Sequence, residues 1–352
     1  MVTIGADLHK RSHTLVAVDE RGRKLAERTA SATPAGHLVL LRWARERFAE
    51  RHWALEDCRH LSRGFERDLL AAGETVVRVP PKLMAGQRRS GREPGKSDPI
   101  DALATARVAL REPDLPVAVL DGVERELRLL VDHREDLVAE RTRIEQRLRW
   151  HLHELMPGQE PPVRGLARRH VLDALATKLD PLEGTVARIA RDLLTRVREL
   201  SGTIDGLERE IGALVADQAP TLLGLQGCGP LTAAKLTGET AGIGRFRSRS
   251  AFARHNGSAP VPVWSGNQTR HRLNRGGNRQ LNLALHRIAV TQLQRPGDGR
   301  DYFEKRLAAG DTRTEAIRAL RRRISDAVYR CMREDEALHA TATRQAHLAS
   351  AA

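Results

Sequence analysis

Four carboxylates in the first third of the chain have the types and spacing that divalent-metal chemistry needs. Asp98 and Asp101 stand three residues apart, and Asp7 and Glu56 precede them along the chain. Side chains three apart on a helix share a face, so Asp98 and Asp101 can point at the same ion. Mg²⁺ prefers oxygen ligands, and two such ions activate an attacking oxygen and stabilise the leaving one. The set predicts Mg²⁺-dependent phosphodiester chemistry, in which Mn²⁺ can substitute.

Each acid also has a purely structural interpretation. In it, Asp7 is a turn residue, Glu56 is a surface charge at a strand end, and Asp98 is a helix cap. Asp57 competes with Glu56 as a ligand, although neighbours in a strand face opposite sides of a sheet. The four acids taken together, with their strand order and a helical pair, favour the metal site.

Short apolar runs predict the elements that position these acids. Five runs are predicted strands: Val2–Leu8, Ser12–Val18, Lys24–Ala30, His52–Glu56 and Thr75–Val79. The first three form an antiparallel meander. Helices are predicted over residues 61–72 and 97–109, with Pro99 suited to a first helical turn. The alternation predicts an α/β domain with a mixed sheet.

The charge balance indicates the kind of partner. The 352 residues include 59 Lys and Arg against 45 Asp and Glu, which gives a formal net charge of +14 and a pI near 10.7. The basic residues are spread along the chain, so several surfaces can contact phosphates, and affinity should fall with salt. We expect two or three domains and a polyanionic partner.

The cysteines and the apolar runs limit the compartment. Cys58, Cys228 and Cys331 lie far apart without a Cys-x-x-Cys pattern, which argues against a zinc module and a disulfide framework. No apolar run approaches membrane-spanning length, and polar residues fall within the first ten positions. We therefore expect a cytosolic protein without a membrane partner.

Two long segments in the middle of the chain have the apolar spacing of a coiled coil. The first, residues 123–155, places Arg134 and Arg141 at seam positions. The second has one extra step of four between Leu193 and Val197. Its predicted seam residues are Leu182, Val186, Ile189, Leu193, Val197, Leu200, Ile204, Leu207, Ile211 and Leu214. The pattern predicts either a coiled-coil hairpin or an oligomer seam.

Beyond Pro220, Gly227 and Gly229 stand in a turn between two apolar helical stretches. This is typical of a helix-hairpin-helix, in which backbone N–H groups at a helix N-terminus hold a DNA phosphate. An ordinary helix-loop-helix in a small core is the alternative for both glycines.

Ser265 stands on a glycine turn before a dense basic stretch. A serine hydroxyl attacks a phosphodiester only when its proton is removed and cations neutralise the developing charge. Basic residues that could contact phosphates there are Arg270, His271, Arg272, Arg275 and Arg279. In the alternative interpretation, Ser265 is a turn residue in a nucleic-acid-binding loop.

Taken in order, these motifs resemble the DEDD transposases of insertion sequences from about Val2 to Arg333. The resemblance rests on the four acids, the coiled-coil middle, Gly227-Cys-Gly-Pro230, and Trp264-Ser-Gly266 followed by Gly276-Gly-Asn-Arg279. That family has a RuvC-like, RNase H-type domain joined by a coiled coil to a small helical domain with a serine. It includes bridge-RNA-guided recombinases. The expected fold is therefore α/β plus all-α.

The expected domains follow from these segments. They are a RuvC-like catalytic domain at 1–115, a coiled coil at 116–218, a serine-bearing transposase domain at 219–335, and a loosely ordered tail at 336–352. The tail is expected because the sequence there lacks a capping signal and a strong apolar pattern.

The resemblance also implies a mechanism and partners. Asp7, Glu56, Asp98 and Asp101 would bind Mg²⁺, and Ser265 would attack DNA to give a covalent phosphoserine intermediate. The family pattern often has two serines before the glycine, whereas this chain has Trp264 in the first place. The implied partners are DNA at the element ends and target, a non-coding bridge RNA, and further copies of the chain in a homodimer or homotetramer, acting in the bacterial cytoplasm at the nucleoid.

RNA guidance is implied by the resemblance and by no motif in the chain. Aromatic residues make up 3% of it, so base stacking would be scarce. A basic surface can instead hold folded RNA through its phosphates and shape.

Three other classes remain open. The nearest is a RuvC-like, Mg²⁺-dependent structure-specific endonuclease, in which the four acids activate water and Ser265 has no chemical role. A sugar-kinase or actin-like ATPase would need Gly-rich phosphate loops in the middle of the chain, where this sequence has the predicted coiled-coil segments. A DNA-binding scaffold with an inactive metal site is disfavoured by the intact carboxylates.

Overall fold

The computed structural model describes residues 1–57, 61–81, 83–84, 97–112, 115–118, 122–265 and 268–350. The chain divides into two compact units, Met1–Asp121 and Gly122–Ala352. The second unit combines the segments predicted as the coiled coil and the serine-bearing domain. No helix in these ranges has both the length and the apolar character needed to cross a membrane.

The first unit is built on a five-stranded sheet in the order β3-β2-β1-β4-β5. The strands are β1 Val2–Leu8, β2 Ser12–Val18, β3 Lys24–Ser31, β4 Arg51–Glu56 and β5 Val76–Val79. The first three are antiparallel, while β4 and β5 run parallel to β1. This mixed topology is that of the RNase H-like fold, and it confirms the predicted meander and mixed sheet.

Helices cover both faces of this sheet. On one face, α1 (Pro34–Arg47) and α2 (Arg63–Ala71) bury an apolar core against β1, β2 and β4. The sequence prediction missed α1, although Thr33 caps it by accepting a hydrogen bond from the Gly36 N–H and Pro34 occupies its first turn. The opposite face is covered by α3 (Asp98–Arg111).

Gly5 on β1 permits a very close approach of α3. A Cβ at Gly5 would overlap the Ala102 carbonyl oxygen and the Ala106 amide nitrogen, and it would lie 2.8 Å from the Ala106 Cβ. Any side chain there would therefore displace the helix. The small residues Ala102 and Ala106 complete the contact, and both are fully buried.

The second unit is mainly helical. Its helices are α4 Val123–Leu155, α5 Arg169–Leu179, α6 Thr185–Gln218, α7 Pro220–Leu223, α8 Pro230–Thr240, α9 Arg249–His255, α10 Arg279–Leu293, α11 Asp298–Ala308 and α12 Arg313–Ser350. A two-stranded antiparallel hairpin, β6 Val261–Ser265 and β7 Gln268–Arg272, separates α9 from α10. The main core lies among α7 to α12 and the ends of α4 and α6.

Helices α4 and α6 pack together as an antiparallel hairpin within one chain. The predicted seam arginines cross it: Arg134 Nε donates to Glu208 Oε1 at 3.0 Å, and Arg141 Nη1 donates to Ser201 Oγ at 3.1 Å. The seam of α6 differs from the prediction before Val197, because Ala187, Ala190 and Leu194 are buried there. The two alanines leave room for α4, and α5 packs in the same core, while Leu193 is only partly buried at its edge.

A buried cation joins α8 to α4. Lys235 Nζ lies 3.0 Å from Asp132 Oδ1 and 2.8 Å from Glu135 Oε2. Burial alone would lower the pKa of Lys235, but the two carboxylates outweigh it and raise this pKa. The charged amine of Lys235 therefore forms a buried ion pair that links the α4–α6 hairpin, the helical arm, to α8 in the main core.

The last helix, α12, runs through the segment predicted as a loosely ordered tail, as far as Ser350. The buried Asp335 accepts hydrogen bonds from the backbone N–H groups of Thr221 and Leu222. His339 Nε2 lies 3.2 Å from the Asp217 carbonyl oxygen. No glycine or proline follows Asp311, and alanine-rich sequence favours continued helix.

The described cysteines carry free thiols. Burial raises the pKa of Cys228 to about 12, so its thiol is unreactive near neutral pH. Cys331 is also free, and Cys58 lies outside the described residues.

Two histidines, His13 on β2 and His37 on α1, are stacked in the core of the first unit. The rings of His13 and His37 lie 5.2 Å apart, and both contact Phe65. Burial, helped by repulsion from His37, lowers the pKa of His13 to about 4. The folded protein therefore holds His13 uncharged at neutral pH.

Substituting Gly5 with Ala should destabilise the protein by about 1–3 kcal/mol, because α3 must move to accommodate the methyl group. Urea unfolding measures the change. Gly202→Ala is the matched control: Gly202 is exposed in α6 with no atom within 4 Å of an added Cβ, and alanine there should stabilise by up to about 1 kcal/mol. Equal stability of Gly5→Ala and the wild type would contradict this account of the contact.

His13 should make stability pH-dependent. Between pH 6.5 and about 4 the unfolded chain binds a proton at His13 that the folded chain does not, so unfolding becomes easier as pH falls through this window. The loss is at most about 3 kcal/mol. In His13→Phe, which keeps a stacked ring without titration, unfolding free energies measured at pH 7 and pH 4.5 should differ less than in the wild type. An unchanged difference would exclude this role.

Candidate functional site

Asp7 and His9 lie together at the end of β1. Asp7 is buried, with 7% of its surface exposed. The chain then turns into β2, where the His9 N–H donates to the Ser12 carbonyl oxygen at 3.0 Å. This turn places His9 Nε2 2.9 Å from Asp7 Oδ2. The two side chains therefore share a hydrogen bond at the edge of the sheet.

The N-terminus of α3 brings two more carboxylates to the same place. Asp98 is the first helical residue, and Ser97 before it is the cap position. Asp98 Oδ1 lies 3.4 Å from His9 Nε2. One ligand atom from each of Asp7, His9 and Asp98 lies within 4.8 Å of the others. Asp101, one helical turn further, is 6% exposed, and its charge acts on Asp7.

Glu56 is placed beside this cluster by strand register. The parallel pairing of β1 and β4 aligns Ala6 with Leu55, so Asp7 and Glu56 are the next positions along the two strands. By alternation they share the sheet face of Gly5, which α3 covers. Asp57 belongs to the other face, where its charge helps raise the pKa of Arg78. The predicted preference for Glu56 over Asp57 is consistent with this register.

The acidic cluster needs a positive charge. Burial raises the pKa of Asp7, and the charges of Asp101 and Asp98 raise it further, while His9 lowers it. A divalent cation would relieve the same repulsion more strongly than His9 does. Carboxylate oxygens are the ligands that Mg²⁺ and Mn²⁺ prefer. The residues present therefore fit a divalent ion of this class.

Sequence reasoning missed His9 as a member of the site. Its signal was the Asp-x-His spacing at the end of β1, since residues two apart in extended chain point to the same side. The Nε2 atom of His9 lies close to both the Asp7 and the Asp98 carboxylate. It can act there as a ligand or as a hydrogen-bond donor that holds the carboxylates in place.

Ser265 is the last residue of β6 and pairs with Gln268, so it stands at the closed end of the hairpin. Gly266 lies outside the described residues. The register puts positions 265, 270 and 272 on one face of the ladder, and positions 264 and 271 on the other. Trp264 is 75% exposed. Of the predicted cations in the described part of β7, Arg272 thus falls on the same ladder face as position 265, and His271 falls on the other.

The segment after the hairpin is fixed by close backbone packing. A Cβ at Gly277 would overlap the backbone of Gly257, so only glycine fits there. Asn278 caps α10 by accepting from the Gln280 and Leu281 N–H groups, and its Nδ2 donates to Glu239 Oε2. The predicted phosphate contacts Arg275 and Arg279 flank this turn and are exposed.

The predicted helix-hairpin-helix glycines occupy the turn before α8. Gly227 has φ +86° and packs against α10, where the Ile288 carbonyl oxygen lies 3.0 Å from the position of an added Cβ. Gly229 is the cap residue of α8 and is exposed. The helix before the turn, α7, has only four residues. The turn is thus packed on one side and open to solvent at Gly229.

The sheet order and the carboxylates at its edge define the class of the first unit: an RNase H-like domain with an acidic centre suited to divalent metal. Residues 4–157 match the DEDD model of IS110 elements, described as a transposase, and residues 219–304 match the model of the transposase IS116/IS110/IS902 family. The chain belongs to this family of insertion-sequence transposases.

Curated relatives are similar over most of their length. The 44.8 kDa protein of insertion element IS116 from Streptomyces clavuligerus is 29% identical over 95% of both chains. The 42 kDa protein of IS900 from Mycobacterium paratuberculosis is 25% identical, over 79% of this chain and 82% of its own. Among solved structures, two of RuvC from Thermus thermophilus each align with 34% of this chain at a TM-score of 0.27. The identity is 20% for the structure of RuvC alone and 18% for its complex with a Holliday junction substrate, and the alignments cover 100% and 99% of those chains.

Mg²⁺ or Mn²⁺ should raise the thermal unfolding midpoint of the protein through binding to the folded state. A hundredfold excess over Kd corresponds to about 2.7 kcal/mol. Asp98→Asn should lose most of this shift because it removes a ligand charge. Glu46→Gln, an exposed carboxylate on α1, is the matched control and should keep it. The same metal-induced shift in both variants would rule out the cluster as the binding site.

Proposed function

We propose that this transposase cuts and rejoins DNA strands, using the acidic cluster with bound Mg²⁺ and Ser265 as a nucleophile that forms a covalent phosphoserine intermediate. The observation that carries the proposal is the convergence of Asp7, His9 and Asp98 at one edge of an RNase H-like sheet. Membership of the transposase family indicates that the substrate is DNA.

In the acidic cluster, Asp7, Glu56, Asp98 and Asp101 would hold the metal. When bound, Mg²⁺ polarises the phosphodiester and stabilises the leaving oxygen. The chain's own contribution is position: the end of β1 fixes Asp7, and the first turn of α3 fixes Asp98 and Asp101. His9 keeps the Asp7 and Asp98 carboxylates oriented through its Nε2 atom.

At the hairpin, the Ser265 oxygen would bond to phosphorus while the bond from phosphorus to a deoxyribose oxygen breaks. The hydroxyl proton ends on that leaving oxygen, directly or through solvent. Attack by a deoxyribose hydroxyl of a second strand reverses the step, restores the serine and rejoins the DNA. Arg270 and Arg272, on the paired strand β7, would offset the charge that develops on the phosphate.

Assembly and guidance belong to the same proposal. The acids and Ser265 lie in separate compact units. We name the β6–β7 hairpin, which carries Ser265, the serine hairpin. We propose that the acidic cluster of one subunit meets the serine hairpin of another in a dimer or tetramer. A bridge RNA would select the DNA by base pairing while the basic protein holds its phosphates. The phosphate contacts would include His271, Arg275, Arg279 and the turn at Gly227 and Gly229. The site of action would be the bacterial cytoplasm at the nucleoid.

Purified protein with Mg²⁺ and a labelled DNA carrying the native element junction should give a protease-sensitive protein–DNA adduct. A denaturing gel run before and after protease treatment detects it. Ser265→Ala and Asp101→Ala should each abolish the adduct, because one removes the nucleophile and the other removes a carboxylate from the metal site. Ser250→Ala, an exposed serine on α9, should leave it unchanged.

Adding RNA transcribed from the element's flanks should increase adduct formation if base pairing selects the DNA. Cleaved ends that appear without any adduct, at the same rate in Ser265→Ala, would contradict the proposal. They would identify a RuvC-like, Mg²⁺-dependent structure-specific endonuclease instead.

A further inference from the structure

A cleft of about 480 Å³ opens at the base of the serine hairpin. Its walls are the end of β7, the turn before β6, and the first half of α12. The charged residues that line it are His271, Arg272, Glu315, Arg318, Arg321, Arg322 and Arg323. Five arginines therefore line the cleft, and Glu315 is the sole carboxylate among the described residues that line it. A cleft of this volume suits a nucleotide-sized ligand.

Three of the charged side chains that line the cleft, those of Glu315, Arg322 and Arg323, already have a partner within the protein. Glu315 accepts hydrogen bonds from the Thr312 N–H and hydroxyl at the start of α12. Arg322 pairs with Asp326, and the Arg323 guanidinium lies 4.0 Å from the centre of the Tyr302 ring. Within the described part of the chain, Arg318 and Arg321 make no ion pair. These two cations are available to an anion.

Arg321 is held in place by a chain of polar contacts. Its Nη1 donates to Asn282 Oδ1 at 2.8 Å, and Asn282 Nδ2 donates to the Asn256 carbonyl oxygen at 3.0 Å. Asn256 is fully buried and donates through Nδ2 to Ser325 Oγ at 2.8 Å. The guanidinium is thus positioned before any ligand arrives, which lowers the entropy cost of binding.

The surroundings of Arg321 favour an added negative charge. Burial, together with the positive charge of Arg318, lowers the pKa of Arg321. Burial and the charge of Arg321 likewise lower the pKa of the nearby His286. An anion between the arginines would replace this repulsion with charge-assisted hydrogen bonds.

The cleft is connected to Ser265 through the hairpin. Arg272 lines the cleft and falls on the same ladder face as position 265. Its partner Val261 stands four residues before Ser265 on β6, about 13 Å along the strand. A nucleic-acid strand lying in the cleft could reach Ser265 within a few nucleotides.

We infer that this cleft binds the phosphodiester backbone of the DNA strand that Ser265 attacks, a few nucleotides from the attacked phosphate, with Arg318 and Arg321 as positioning residues. The inference rests on the proposed function. The strand is DNA because the cleft continues from the hairpin that carries the nucleophile.

The test measures binding of a labelled single-stranded DNA of the element end to the full-length protein across a salt series. All variants carry Ser265→Ala, so no adduct forms and only binding is measured. Each lost phosphate contact should reduce the slope of log K against log salt by about 0.7. Arg318→Gln, which loses no hydrogen bond among the described residues, should show this reduction, and Arg318→Lys should restore the slope.

Two controls separate charge from folding. Arg330→Gln removes the same charge from an exposed position on α12 outside the cleft and should leave the slope unchanged. Arg321→Gln should reduce the slope like Arg318→Gln, provided that its unfolding midpoint stays near that of the wild type. The double variant should lose about 1.4 in slope.

An unchanged slope in Arg318→Gln would overturn the inference, as would an equal loss in Arg330→Gln. A loss seen with an RNA strand of the same sequence but not with DNA would also overturn it, because the cleft would then hold the guide. Failure to form a serine adduct would instead refute the proposed function, since the binding series is independent of that reaction.

Discussion

The contact between β1 and α3 at Gly5 is the constraint on which the acidic centre depends. Asp7 comes from a strand at the start of the chain, and Asp98 and Asp101 come from a helix some ninety residues later. Neighbouring carboxylates repel one another, so they approach only if packing elsewhere fixes the elements that carry them. The missing side chain at Gly5 lets α3 lie directly on the sheet, and the first turn of the helix then delivers its two acids beside Asp7.

The serine hairpin is supported by different physics. Polar contacts and backbone packing fix the segments before and after it: Gly277 lies against Gly257, Asn278 caps α10, and Asn256 and Asn282 link α12 to the turn before β6. Such a framework is directional, because each hydrogen bond fixes an angle as well as a distance. The hairpin between these segments can thereby keep a defined position beside the cationic cleft.

Much of this architecture follows from the sequence alone. Period-two apolar runs predicted all five strands of the larger sheet, and the three-and-four spacing predicted both helices of the α4–α6 hairpin, because their buried faces are large and regular. The helix α1 was missed because its apolar residues are mixed with arginines and histidine. The α6 seam was misplaced where alanines face α4, since small residues carry little pattern. His9 escaped notice because its role depends on a turn that brings it between two carboxylates.

The cross-helix contacts of the α4–α6 hairpin limit how this arm can change over evolution. Arg134 with Glu208 and Arg141 with Ser201 fix which turn of one helix faces which turn of the other. An insertion in one helix alone would shift every later pair out of register. Lengthening the arm therefore requires matched insertions in both helices, about 10 Å for each heptad added. Relatives with longer or shorter arms should differ by paired steps rather than by single residues.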